Sequence, residues 1–180
     1  DIEKNIVSEN DDIKIEKVKL ESRINAITVP LFIARPKAIK IKGVVIAIHG
    51  VASTPEKVIG LEPRDYTRQF GLELAKQGYV VYAPYIINIQ NKVPNISGLG
   101  MLYTGNTNWS IDLQKLLSIV DNIKSIPEIS NLPLVTYGIS IGGLFALMLP
   151  AIDERVDIII SSGALSRAPN EDHFDINKET

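Results

Sequence analysis

Residues 133–148 decide the fold of this chain, and their sequence is PLVTYGISIGGLFALM. An apolar stretch leads into Gly138-Ile139-Ser140-Ile141-Gly142, and apolar and small residues in a helix-like pattern follow. A serine held between a strand and a helix needs a sharply bent backbone, so the positions two before and two after it must be nearly free of side chain. Gly138 and Gly142 meet that requirement. The order of strand, G-x-S-x-G and helix is that of a nucleophile elbow.

The pentad by itself is a weak signal, and a serine in an ordinary glycine-rich connection is the alternative. Its setting makes it specific, because a His49-Gly50 turn also ends an earlier apolar strand at residues 43–48. The elbow sets Ser140 at the N-terminus of a helix. There the Ile141 N–H and the helix dipole favour negative charge on a nearby oxygen.

Composition limits the possible functions. A chain of 180 residues with 45% hydrophobic content is expected to form a single domain, spanning 1–180, with a sizeable core. A net charge of −2 and a pI near 5.7 give no basic surface for nucleic acid. No apolar run approaches the roughly 20 residues of a membrane span, so a membrane partner is not expected. Zero cysteines exclude disulfides and a cysteine nucleophile but leave the cellular compartment open.

The order of patterns predicts an α/β fold with a mostly parallel sheet and helices on both faces. Residues 1–12 are expected to be frayed. An antiparallel strand pair should follow at 13–20 and 27–33, with a bulge or a twist between Ile15 and Val18, and Pro30 indicates a sheet edge. Further strands are predicted at 43–48 and 79–84, from Pro133 up to the turn at Gly138, and at 156–160. Helices are predicted over 63–77, ended by Gly78, and from a cap at Asn108 or Ser110, with Trp109 as a packing anchor or a pocket wall.

The two glycine motifs, His49-Gly50 after one strand and G-I-S-I-G-G at 138–143 after another, resemble those of the α/β-hydrolase fold. More narrowly, the chain resembles bacterial esterases of the dienelactone hydrolase and acetyl xylan esterase type, which are related to the prolyl oligopeptidases. That narrower likeness rests on Y-x-x-x-F-G-x-x-L-A-x-x-G-Y-V-V-Y-A-P at 66–84 and on D-E-R at 153–155. It covers about residues 13–165.

The resemblance implies a serine hydrolase that cleaves a small-molecule ester through an acyl-enzyme, with no metal or organic cofactor. It assigns the nucleophile to Ser140, the oxyanion-hole N–H groups to Val51 and Ile141, the elbow to Gly138 and Gly142, and the oxyanion loop to His49 and Gly50. A prolyl oligopeptidase-like peptidase and a non-catalytic binding protein of the same fold are the alternatives. The long loop at 85–107 is expected to form part of the pocket wall.

The sequence departs from the family order of serine, acid and histidine. His49 precedes the serine and is interpreted as ordering its own loop. His173 stands beside Asp172 in a polar tail, and such neighbours do not readily give the geometry of a triad, so it is interpreted as a surface residue, with a role as base left as the alternative. We therefore expect a truncated hydrolase domain. Its last strands, its acid and its base would lie beyond residue 180, and a C-terminal segment or a second chain would complete the sheet.

Overall fold

The apolar run at residues 43–48 forms a central strand of one sheet in the computed structural model, which describes residues 3–21, 28–86 and 107–164. The strands in these ranges are β1 (Glu3–Glu9), β2 (Ile13–Glu21), β3 (Thr28–Pro36), β4 (Gly43–Ile48), β5 (Tyr79–Pro84), β6 (Leu134–Ile139) and β7 (Ile158–Ser162). Their order across the sheet is β1-β2-β3-β5-β4-β6-β7. Every residue of β4 is buried, as expected of a strand covered on both faces.

The sheet is mixed. β5, β4, β6 and β7 are parallel, whereas β1, β2 and β3 form an antiparallel meander that also meets β5 in antiparallel orientation. The predicted α/β architecture is confirmed in outline. The antiparallel part is larger than predicted, because β1 adds a third strand to the expected pair.

The expectation of a frayed N-terminus is wrong for residues 3–9, which form β1. The side-chain oxygen of Asn10 accepts hydrogen bonds from the N–H groups of Asp12 and Ile13, at 2.9 and 2.8 Å, and these bonds shape the turn into β2. The described side chains of β1 are exposed on both faces. A strand of this kind has no apolar alternation, so its pattern gave no signal.

The change of phase within β2, for which a bulge or a twist was predicted, involves no bulge in the pairing of β2 with β3. Ile13 and Ile15 pack into one apolar cluster, while Val18 and Leu20 pack into another on the opposite face of the sheet. The pairing of β2 with β3 continues without a register shift, and the shift lies in the pairing with β1 instead. The two ends of β2 are therefore covered from opposite sides.

Pro30 lies inside the sheet, and the prediction of an edge there is wrong. β3 lies between β2 and β5, and its pairing with β5 starts at Leu31. The Pro30 carbonyl accepts a hydrogen bond from the Tyr85 N–H at 3.0 Å, where that pairing ends. The missing N–H of proline therefore interrupts no long ladder.

Four helices in the described ranges cover the two faces of the sheet: α1 (Pro55–Val58), α2 (Phe70–Lys76), α3 (Asn108–Ser125) and α4 (Ile141–Ile152). α1 and α2 contribute Val58 and Phe70 to one apolar cluster, whereas α3 and α4 contribute Leu116 and Phe145 to the other. Residues of β4 alternate between these clusters, which places the helix pairs on opposite faces. None of these helices has the length and apolar character needed to cross a bilayer.

The predicted helix at 63–77 is shorter than expected. One carboxylate oxygen of Asp65 accepts hydrogen bonds from the N–H and the hydroxyl of Thr67, at 2.8 and 2.6 Å, and Arg68 and Gln69 are left-handed, with φ of 55° and 57°. A side chain that bonds its own backbone competes with helix formation, so α2 begins only at Phe70. Gly78, with φ of +101°, follows the end of α2 as predicted.

Threonine residues cap two helices. The Thr54 hydroxyl accepts a hydrogen bond from the N–H of Lys57, and Pro55 stands at the start of α1, a short helix that was not predicted. Thr107 caps α3 in a reciprocal pair with Ser110, at 3.1 and 2.8 Å. The predicted cap at Asn108 or Ser110 was therefore misplaced, although Ser110 takes part in the cap.

The last strand is shifted by two residues from the predicted 156–160. The Asp157 carboxylate accepts a hydrogen bond from the Leu134 N–H at 2.7 Å, and the Asp157 N–H donates to the Leu134 carbonyl at 2.9 Å. Strand β7 therefore starts after this contact. It lies at the edge of the described sheet with exposed isoleucines, at 48% for Ile158, 45% for Ile159 and 41% for Ile160, so this edge is apolar.

Arg155 connects α4 to α3. Its guanidinium hydrogen-bonds the buried Asp153 carboxylate at 2.6 and 2.8 Å and forms an ion pair with Asp121 at 2.8 Å. The hydrogen bond from Arg155 keeps the pKa of Asp153 below its ordinary value. We expect Arg155→Met to lower Tm by about 2–4 °C, which corresponds to roughly 1 kcal/mol in a domain of this size.

The effect should depend on pH, because a carboxylate with a lowered pKa stabilises the fold only while it is ionised. The Tm difference should be fully present at pH 7 and should shrink as the pH falls from about 4 through the lowered pKa. Thermal melts at several pH values measure it, with Arg64→Met, an exposed arginine, as the control. Equal melting of the parent and Arg155→Met at pH 7 would contradict this role.

Candidate active site

Ser140 alone connects β6 to α4, and its backbone has φ of 58° and ψ of −128°. Residues with a side chain rarely adopt a positive φ, and holding one there costs on the order of 1–3 kcal/mol. Ser140 is exposed, although Gly138 and Gly142 on either side of it are buried. The strained turn therefore presents a hydroxyl to solvent at the carboxyl end of a buried strand.

Neither elbow glycine has space for a side chain. A Cβ at Gly138 would overlap the Gly142 carbonyl and lie 2.6 Å from the Gly143 nitrogen. A Cβ at Gly142 would overlap the His49 carbonyl and lie 2.5 Å from the carbonyl oxygen of Ile48. These neighbours are backbone atoms, which cannot rotate away. Glycine is therefore required where β6, α4 and the end of β4 approach one another.

The elbow is also hydrogen-bonded to the edge strand. The Ser140 N–H donates to the Ser162 carbonyl at 2.8 Å, and the Gly143 N–H donates back to the Ser140 carbonyl at 2.8 Å. The Ser161 hydroxyl donates to the Gly143 carbonyl at 3.1 Å. The strained turn is therefore fixed from the side of β7 as well as from within its own helix.

The loop after β4 lies directly beside Ser140. Ile48 pairs with Gly138 in the parallel register of β4 and β6, so both strands end at the same edge of the sheet. A Cβ at Gly50 would lie 3.2 Å from Ser140 Cβ. Val51, which follows, is 39% exposed. Ile141 is the first residue of α4, where N–H groups have no partner within the helix.

His49 is buried and faces its own loop. Its Nδ1 lies 2.8 Å from the Gly50 carbonyl. Burial lowers the pKa of His49, although the Gly50 and Ile86 carbonyls and the nearby Asp112 carboxylate favour the charged form. The imidazole is therefore neutral at pH 7 and helps to order the loop, as the sequence interpretation proposed.

Tyr66 is a residue near Ser140 that the sequence interpretation missed. Residue 66 was placed within the predicted helix at 63–77 and was given no role at the site, yet a Cβ at Gly50 would overlap the Tyr66 hydroxyl as well as approach Ser140. No spacing in the sequence signals this approach.

Trp109, on the first turn of α3, packs on Phe145 of α4 with ring centroids 5.4 Å apart and stays 42% exposed, so it anchors one helix to the other.

Several predicted features fall outside the described residues. They are the tail with His173 and Asp172, and most of the loop at 85–107. The structure therefore brings together Ser140, Gly50 and the residues adjacent to each. The roles of Val51 and Ile141 as oxyanion donors stay predictions.

Comparison with solved structures identifies the fold. A cold-adapted esterase from an Arctic intertidal metagenomic library aligns with a TM-score of 0.60 and 18% identity, over 83% of this chain and 60% of the esterase. The acetyl xylan esterase of Paenibacillus sp. R4 aligns with a TM-score of 0.61 and 20% identity, over 86% and 51%. A putative acetyl xylan esterase of Bacteroides fragilis aligns with a TM-score of 0.69 and 15% identity, over 87% and 46%.

These esterases are α/β-hydrolases, and this chain shares their fold. The resemblance inferred from the two glycine motifs is confirmed at that level. The chain spans about half the length of these solved structures. No protein-family profile matches the sequence, and no curated protein matches it.

The backbone contacts at Gly142 generate a test of the elbow. We expect Gly142→Val to lower Tm strongly, by more than a typical core substitution, because its side chain would meet two carbonyl groups. Ala151→Val, at an exposed position of the same helix, is the matched control and should melt close to the parent. If Gly142→Val and Ala151→Val show the same Tm by circular dichroism, the close approach does not exist in solution.

Proposed function

We propose that this chain forms the nucleophile-bearing part of a serine hydrolase that cleaves small carboxylic esters. The proposal rests on the backbone of Ser140, whose φ of 58° exposes a hydroxyl between β6 and α4 beside the loop after β4. The fold shared with solved esterases supports ester hydrolysis as the reaction. Fold alone does not determine the substrate, so the acyl and alcohol groups are left open.

In the proposed reaction, Ser140 Oγ bonds to the ester carbonyl carbon and gives its proton to a base. The alcohol leaves with a proton, and water then hydrolyses the acyl-enzyme. The N–H groups of Ile141 and Val51 would hold the oxyanion, assisted by the N-terminal dipole of α4. Because these donors belong to the backbone, the Val51 and Ile141 side chains would shape the pocket without supplying charge.

The proposed nucleophile needs a base. A serine hydroxyl reacts slowly at neutral pH unless an adjacent base, itself oriented by a third group, takes its proton. The sequence contains two histidines, of which His49 faces the Gly50 carbonyl and His173 lies outside the described residues. We therefore assign the acid and the base to a further segment, either a C-terminal continuation or a second chain.

The proposed position of that segment is the edge of β7. Its exposed isoleucines offer apolar surface on both faces of the sheet, and its outer backbone groups face no strand in the described ranges. A strand added in parallel there would end at the same edge as β6. Its loop would then reach the side of the sheet where Ser140 lies, where ligands of open α/β sheets bind.

We expect a fluorophosphonate probe to label the complete gene product at Ser140 and to leave the Ser140→Ala variant unlabelled. Intact-mass spectrometry and peptide mapping measure the modification. Ser125→Ala is the control, because Ser125 is an exposed helical serine with an ordinary backbone and should not affect labelling. Labelling that persists in Ser140→Ala would show that the nucleophile is another residue.

We also expect residues 1–180 by themselves to hydrolyse p-nitrophenyl acetate far more slowly than the complete gene product. Serine hydrolases without their triad keep only about 10³–10⁴ of acceleration over water. The isolated chain should also self-associate, because exposed apolar edge strands pair readily. The Ile159→Lys substitution places a charge on that edge and should reduce the association.

Analytical ultracentrifugation and steady-state kinetics test this pair of expectations. Ile6→Lys, at the opposite edge of the sheet, is the matched control and should leave the association unchanged. A monomeric 1–180 chain with the turnover of the complete protein would contradict the proposed segment. Loss of that turnover in His173→Ala would then assign the base to His173.

A further inference from the structure

The hydroxyl of Tyr66 reaches the space between the loop after β4 and the serine. A Cβ built on Gly50 would overlap Tyr66 Oη and lie 3.2 Å from Ser140 Cβ. The phenol oxygen and the serine side chain therefore both lie next to the Cα of Gly50. Gly50 itself is buried. Its lack of a side chain lets the Tyr66 hydroxyl and Ser140 both lie against the same side of its Cα.

The turn that carries Tyr66 is held by its own hydrogen bonds. The carboxylate of Asp65 accepts bonds from the N–H and the hydroxyl of buried Thr67, and Arg68 and Gln69 both have positive φ. Two consecutive residues with side chains in the left-handed region represent backbone strain, which persists only where surrounding structure enforces it. The ring of Tyr66 is nevertheless 48% exposed. The backbone is therefore fixed, while the ring borders solvent beside the site.

The phenol is protonated at neutral pH. Burial of its hydroxyl end raises the pKa of Tyr66, and the nearby Asp65 carboxylate raises it further, while backbone hydrogen bonds from Ala52 and Gly50 act in the opposite direction. Hydrogen bonds that lower the pKa of a phenol are those that its oxygen accepts. The oxygen thus faces amide groups of the loop after β4, and its own proton is available for donation.

We propose that Tyr66 donates a hydrogen bond from Oη to the carbonyl oxygen of an ester bound at Ser140, as a third donor beside the two backbone N–H groups. This inference rests on the proposed ester hydrolysis and adds a side-chain contact to it. The shared contact with Gly50 places the phenol beside the proposed reacting group. A donor that is already held by the loop amides needs little reorganisation when charge develops on the substrate oxygen.

Tyr66→Phe tests the donor, because it removes one oxygen and keeps the ring. In the complete gene product we expect the kcat for p-nitrophenyl acetate to fall about 10- to 100-fold, less than for a backbone donor in a fully enclosed site, with a smaller change in KM. The Tm should stay close to that of the parent. Tyr79→Phe is the matched control, because Tyr79 begins β5 at the opposite end of the sheet and should keep the parent kcat.

Binding of methylboronic acid gives a second measurement that does not depend on turnover. Its boron adds Ser140 Oγ with loss of the serine proton, and the resulting tetrahedral anion resembles the reaction intermediate. We expect Tyr66→Phe to weaken this binding by about 10-fold, measured by calorimetry, and Tyr79→Phe to leave it unchanged.

The outcomes separate the two proposals. Parent-like kcat and boronate affinity in Tyr66→Phe, with Ser140-dependent turnover intact, would overturn the donor role and leave the hydrolase proposal standing. Tighter boronate binding in Tyr66→Phe would show that the phenol obstructs the pocket, and would also overturn the donor role. A complete protein that shows neither Ser140-dependent turnover nor boronate binding would refute the hydrolase proposal and the donor with it.

Discussion

The structure depends on a contact between backbones, where the first turn of α4 lies directly against the end of β4. At Gly142 the carbonyl groups of Ile48 and His49 occupy the volume that a Cβ would need, and at Gly138 the backbone of the same helical turn does so. Protein interiors are close-packed and leave little room for relaxation. Because Gly138 and Gly142 have no side chains, the strand, the helix and the loop after β4 pack in direct backbone contact, which fixes their relative positions. The strained conformation of Ser140 follows from that arrangement.

The same contact determines which kinds of groups can surround Ser140. The neighbouring loop comes so close to Ser140 at Gly50 that this position has no room for a side chain of its own, and the Tyr66 hydroxyl lies against it. His49 is kept neutral by burial, and its Nδ1 lies against the Gly50 carbonyl, so this histidine helps to order the loop. In the proposed reaction, the described residues supply the nucleophile and the groups that stabilise negative charge, and the remaining requirement is a proton acceptor.

Features of the fold and the site could be predicted from the sequence where the residues that determine them lie close together in the chain. The strand before Ser140, the two glycines and the helix after it lie within sixteen residues, so the pattern at 133–148 contained the elbow and the fold that goes with it. The polar edge strand β1 could not be predicted, because a strand exposed on both faces has no apolar alternation. Tyr66 was placed in the predicted helix at 63–77, whereas the Asp65 side chain holds a turn at this point and α2 begins only at Phe70. Its approach to Ser140 depends on tertiary packing at Gly50, which periodicity does not report.

The edge strand β7 is hydrogen-bonded to the turn that carries Ser140. Its Ser162 carbonyl accepts the Ser140 N–H, and its Ser161 hydroxyl bonds the Gly143 carbonyl, so both bonds hold the elbow from the side that the isoleucines leave exposed. An edge strand paired on one side frays more readily than one paired on both sides, because half of its backbone groups exchange freely with water. Fraying of β7 would release the Ser140 N–H and relax the strained turn. A strand paired with β7 would therefore also stabilise the conformation of Ser140, because order at the sheet edge and the geometry of the elbow are joined through the hydrogen bonds of Ser161 and Ser162.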